Sequence, residues 1–157
     1  MNRPPNILFL MADQMQEQVL NSDHPCRTPN LDRLAKRGMR FSRAYTPNSI
    51  CSPTRASLMT GLMPHNHGVL EVLYPKVPDL HVLREDKPHW AQQLQARGYH
   101  TGYFGKWHVE ASNDLKRFGW NVDAGWEGDA FHRETQAILG DEPLRPDCDP
   151  ALYLEGP

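Results

Sequence analysis

The sequence predicts an α/β fold, a mainly parallel sheet flanked by helices, and three observations carry that expectation. A continuous apolar run, Ile7–Ala12, ends directly in Asp13-Gln14. Leu31, Leu34 and Ala35 repeat with the helical period and stop at Gly38. A helix-like stretch, His89–Arg97, is followed at once by the strand-like segment Tyr99 to Phe104. Strands that alternate with helices pack as a parallel sheet with its faces covered.

Taken in order, Ile7–Ala12 has the pattern of a strand buried on both faces. Asp13 and Gln14 then fall at its C-terminal end, the edge where open α/β sheets bind ligands. Thr28-Pro29 supplies a helix N-cap followed by proline at the first helical position. Met39 to Tyr45 alternates and reads as a second strand, and 47–50 as a loop. A helix opens at Cys51 and closes at Gly61, with Pro53 in the first turn, where no N–H partner is lost. The next helix carries Trp90, Ala91 and Leu94 on one face and stops at Gly98. The strand after it delivers Gly105-Lys106-Trp107-His108 to the same sheet edge as Asp13.

Beyond Gly119 the pattern changes. Asn121 to Gly128 is rich in Gly, Asp and Trp, and residues 140–157 carry four prolines. The expectation is residues 1–118 as an α/β core portion and 119–157 as an irregular continuation, with one short helix near Phe131–Leu139.

Composition excludes several classes. Lys+Arg number 17 against 19 Asp+Glu, and they are interspersed, so no basic stripe suits a nucleic acid. The longest apolar run is far too short to span a bilayer, and no signal-peptide pattern precedes it, so the chain reads as cytoplasmic. Three cysteines at unrelated spacings give neither a disulfide framework nor a paired metal motif. Cys26 and Cys148 read as plain thiols.

The run Cys51-Ser52-Pro53-Thr54-Arg55-Ala56-Ser57-Leu58-Met59-Thr60-Gly61 resembles the signature of the sulfatase family, type I and formylglycine-dependent, in the alkaline-phosphatase-like superfamily. Gly105-Lys106-Trp107-His108 resembles that family's second signature, and the segment from Pro5 to Gln14 its metal-binding first strand. The three matches stand in the expected order within roughly the first 110 residues. The resemblance implies an alkaline-phosphatase-like fold, of which this chain reads as an incomplete N-terminal part.

It also implies a chemistry. A formylglycine-generating enzyme converts Cys51 into an aldehyde, whose hydrate attacks the sulfur of a small sulfate ester. Arg55, about one helical turn on, holds that group in place. Lys106 binds a sulfate oxygen, and His108 bonds the formylglycine hydroxyl or assists elimination. Asp13 ligates a divalent metal, calcium first and magnesium or manganese otherwise, with Gln14 and one oxygen of residue 51 as further ligands. Asp13-Gln14 is similar to the choline-sulfatase and phosphonate-monoester-hydrolase branches, which keeps a phosphonate or phosphate monoester hydrolase as an alternative. A non-catalytic remnant is the other. Calcium takes about 6–8 oxygens and magnesium six, so these residues leave the shell short. His65-Asn66-His67-Gly68 reads as a loop near the mouth of the cleft.

Overall fold

The computed structural model describes residues 4–72, 82–84, 86–110, 112, 114–125 and 137. The chain forms two compact units, residues 1–45 and 46–157.

Among its described residues the first unit holds turns and one α-helix. A 3-10 turn at Glu17–Leu20 leads to α1, Pro29–Arg37. Proline stands in the first turn of α1, as expected, but Thr28 does not cap the backbone. Its hydroxyl donates to Asp32 Oδ1 at 3.3 Å instead. Arg40 ties this unit together, donating to the Leu20 carbonyl at 3.0 Å and to Asn21 Oδ1 at 3.1 Å. None of the described residues of 4–45 is buried.

That finding corrects the expected sheet. Ile7–Ala12 and Met39 to Tyr45 are not strands; Leu8 is 82% and Tyr45 88% exposed. A strand exists only through lateral pairing, which local pattern cannot supply. Leu31 and Leu34 are likewise exposed rather than buried under a sheet. The described part of the chain is a small mixed α/β fold dominated by helix, with a sheet of two strands.

The second unit has the core. It comprises α2 (Cys51–Thr60), the single turn α3 (Pro64–His67), α4 (Trp90–Gln95), β1 (Gly102–Gly105), a 3-10 turn (Leu115–Phe118) and β2 (Val122–Gly125). β1 and β2 are parallel, with Gly102 opposite Val122 and Gly105 opposite Gly125. β2 falls in the stretch rich in Gly, Asp and Trp, where no strand is expected from composition. The helix expected near Phe131–Leu139 lies, Ala137 apart, outside the described residues.

Six of the ten residues of α2 are buried, although half of its residues are polar. A helix buried nearly all round must satisfy its polar groups internally. Ser57 pairs with His67, Arg55 reaches the Lys106 carbonyl, and Thr60 donates to the Ala56 carbonyl. Ala56 and Met59 supply the apolar contacts, the latter contributing about 1.5–3 kcal/mol on full burial. Gly61, at φ 72°, ends the helix by donating to the Ser57 carbonyl at 2.8 Å. Around α2 lies an aromatic cluster in which Tyr103 and Trp107 meet edge-on at 5.2 Å, as do Tyr103 and Trp120 at 5.1 Å.

His89 sits inside this cluster, 4.4 Å from the Phe118 ring centroid. Its two ring nitrogens have no hydrogen-bond partner among the described residues. Burial, with Arg117 acting in the same direction, lowers its pKa from 6.5 to about 4. The folded chain therefore holds His89 neutral at pH values where the unfolded chain protonates it. A depressed folded pKa means the contribution is whole above pH 6.5 and is lost as pH falls towards 4. The gap corresponds to about 3 kcal/mol. Urea unfolding from pH 7 to pH 4 is expected to show this loss, and His89→Phe to flatten it. An H89F chain that weakens as steeply as the parent would contradict the assignment.

Among the described residues no helix is long and apolar enough to cross a membrane.

Candidate active site

Cys51 is the first residue of α2, where unpaired backbone N–H groups and the helix dipole favour an anion. The approach to it is braced by Asn48. Its side-chain oxygen accepts the Ile50 N–H at 2.8 Å, and its carbonyl accepts the hydroxyls of Thr46 (2.8 Å) and Thr54 (2.5 Å). Thr54, whose place in the motif gives no hint of this, thus fixes the backbone just ahead of Cys51. Pro53 occupies the third helical position and is buried.

The second motif reaches α2 from the end of β1. Gly105 adopts φ 96°, a conformation that favours glycine, and the chain turns there into Lys106-Trp107-His108. Trp107 goes into the core, 2% exposed, and its Nε1 donates to Glu110 Oε1 at 3.3 Å. His108 is itself left-handed at φ 51°. Such a non-glycine residue costs on the order of 1–3 kcal/mol and persists only where its surroundings over-determine it. Its Nδ1 lies 3.2 Å from Cys51 Sγ, so either the thiol donates to the imidazole or the imidazole N–H donates to sulfur.

Arg55 completes the link. It is 6% exposed, and its Nη1 donates to the Lys106 carbonyl at 2.6 Å. The Tyr103 hydroxyl donates to the same carbonyl. Burial raises the Tyr103 pKa, with Arg55 opposing the rise, so the phenol stays a donor. The structure therefore gathers Cys51, Arg55, Lys106 and His108 within the second unit. Asp13 and Gln14 belong to the first unit, where Gln14 adopts a left-handed φ of 48°.

The His65–His67 segment is a helical turn rather than a loop. His67 is fully buried; its ring pairs with Ser57 Oγ at 2.9 Å, and its Nδ1 accepts the Val69 N–H at 3.1 Å. Accepting at Nδ1 requires the neutral tautomer protonated at Nε2. Burial lowers its pKa, the Pro53 carbonyl opposes that effect, and Arg84 and His65 add to it. His67 thus locks α3 to α2. Its two-residue spacing from His65 carried no sign of this role, and neither did the alternation around Tyr103.

The arrangement offers a side chain at residue 51 with an imidazole in hydrogen-bond reach, at a helix terminus suited to an anion. Among the described residues, no group of three or more His, Cys, Asp or Glu side chains is placed to hold a metal ion.

Comparison with known proteins gives a consistent result. The sequence profile of the sulfatase family matches residues 5–136. Arylsulfatase A of Bos taurus is 45% identical over 111 residues, which cover 68% of this chain and 21% of that protein. The Ulvan-active sulfatase of Formosa agariphila is 36% identical over 108 residues, covering 68% and 20%. Among solved structures, the putative sulfatase yidJ from Bacteroides fragilis aligns with a TM-score of 0.53 at 35% identity, over 58% of this chain and 20% of that one. Ps i-CgsB, in complex with k-i-k-neocarrahexaose, aligns with a TM-score of 0.54 at 29% identity, over 72% and 27%. The chain spans about a fifth of the length of the two named sulfatases it matches.

Proposed function

Because this chain belongs to the sulfatase family, we propose that it carries the nucleophile and part of the anion-handling site of a sulfuric ester hydrolase. Residue 51 is, on this reading, converted from cysteine to formylglycine by a formylglycine-generating enzyme. The observation that carries the proposal is the joining of the two motifs: Cys51 Sγ lies 3.2 Å from His108 Nδ1, while Arg55 bonds the Lys106 carbonyl. The converted group supplies a hydroxyl nucleophile in place of a thiol.

The chain's own residues then divide the work. The N-terminus of α2 and the Lys106 ammonium favour the sulfuryl oxygens. His108 holds or moves a proton at the side chain of residue 51. Arg55 fixes the backbone from which Lys106 and His108 project. Asp13, with Gln14 beside it, offers oxygen ligands to a divalent metal, calcium first. A shell of about 6–8 oxygens exceeds what these two residues offer, so weak turnover is expected.

The test compares the converted chain on an aryl sulfate and an aryl phosphonate monoester, with Cys51→Ala as background. Sulfate hydrolysis above that background and faster than phosphonate hydrolysis supports the proposal. Faster phosphonate hydrolysis moves the function to a monoesterase of the same superfamily. Rates at background for both substrates, with residue 51 fully converted, contradict both.

A further inference from the structure

We propose that Tyr103 is a positioning residue of this site, its hydroxyl and the Arg55 guanidinium jointly clamping the Lys106 carbonyl so that His108 stays against residue 51. The assignment deepens the proposed function and rests on its choice of Lys106 and His108 as working residues.

A carbonyl oxygen has two lone pairs, and here two donors from different elements, β1 and α2, meet on one oxygen. The clamped peptide lies between two left-handed residues, Gly105 at φ 96° and His108 at φ 51°. A segment with that backbone needs outside contacts to hold it in one conformation. Trp107 anchors it from the core side, and the Lys106 carbonyl is held from the other. Tyr103 is suited to the task because its ring is fixed edge-on against Trp107 and Trp120, and its strand is paired in register with β2. The bond runs to backbone, so Tyr103 acts through the segment's geometry rather than by touching substrate.

The test uses the whole chain produced without the converting enzyme, so that Cys51 is a thiol. Alkylation by iodoacetamide is followed at the peptide containing residue 51, in a double-mutant cycle of Tyr103→Phe and His108→Ala. Thiol reactivity reports the imidazole held beside it. Y103F keeps the ring and removes the hydroxyl, which bonds the Lys106 carbonyl and Arg55; it is expected to slow alkylation by about three- to tenfold, and by less than about twofold once His108 is already alanine. Thr101→Val loosens the same strand by removing the hydroxyl bonded to Asn121, without touching the clamp, and is expected to leave the rate within about twofold. Equal slowing by Y103F in both backgrounds, no slowing at all, or the same slowing by T101V would overturn the assignment. Should Y103F fail to fold, Arg55→Met removes the other donor and is expected to show the same coupling to His108. Because the thiol is read before any conversion, failure here leaves the hydrolase proposal to its own test, and failure there leaves the clamp standing.

Discussion

Lys106→Ala is expected to lower kcat/KM for an aryl sulfate by on the order of a hundredfold in the converted chain, while leaving the Cys51–His108 contact in place. An ammonium about 4 Å from a unit anion contributes on the order of 4 kcal/mol at an effective dielectric near 20. Only the part of that interaction that grows as charge gathers on the sulfuryl oxygens lowers the barrier, so the expected loss is smaller than the whole. The contact survives because Arg55 and Tyr103 bond the carbonyl of Lys106, not its ammonium. Lys106→Arg keeps the charge and is expected to recover part of the rate. Steady-state kinetics, read beside the alkylation rate of the unconverted Cys51, checks both halves. A K106A chain within about twofold of the parent would remove Lys106 from the anion site.

Gly119→Ala is expected to cost about 3 kcal/mol or more of stability. Gly119 stands at φ 91°, and a Cβ there would lie 2.5 Å from the Gln92 nitrogen and 2.7 Å from its Cα. Those atoms are helix backbone and cannot swing aside. The same close approach lets the Gly119 carbonyl accept the Thr101 hydroxyl at the start of β1, so the clash would also disturb the strand that carries Tyr103. Gly98 provides the comparison: at φ 83° it has nothing within 4 Å of its would-be Cβ. Gly98→Ala should therefore cost only the left-handed penalty of about 1–2 kcal/mol. Urea midpoints for the two variants separate clash from backbone strain, and equal losses would show that the packing of Gly119 on α4 does not matter.

The parts of this molecule legible in its sequence are those whose cause is local. The bounds of α2 follow from Pro53 in its first turn and Gly61 at its end. The stretch from Tyr99 contains β1, and the turn after it is made by Gly105. The expected sheet failed where structure depends on distant partners. Ile7–Ala12 has strand composition but no ladder among the described residues, whereas Val122–Gly125 forms a strand on a plain composition. Asn121 and Thr101 set the latter's start: the Asn121 and Val122 N–H groups donate to the Thr101 carbonyl at 3.1 Å.

The candidate site divides along the same line. Cys51, Arg55, Lys106 and His108 stood out because motif spacing marks them. Tyr103 and His67 did not, because a hydrogen bond to a backbone carbonyl or to a buried serine imposes no pattern on neighbouring letters. His67 in particular looked like a polar loop residue and proved fully buried.

Residue 51 gives the most direct measurement. When the chain is coexpressed with a formylglycine-generating enzyme, the peptide containing this position is expected to be lighter than its thiol form by about 18 Da and to react with a hydrazide. A peptide that keeps the thiol mass, in cells where a control sulfatase is converted, would contradict the reading of this chain as carrying a sulfatase nucleophile.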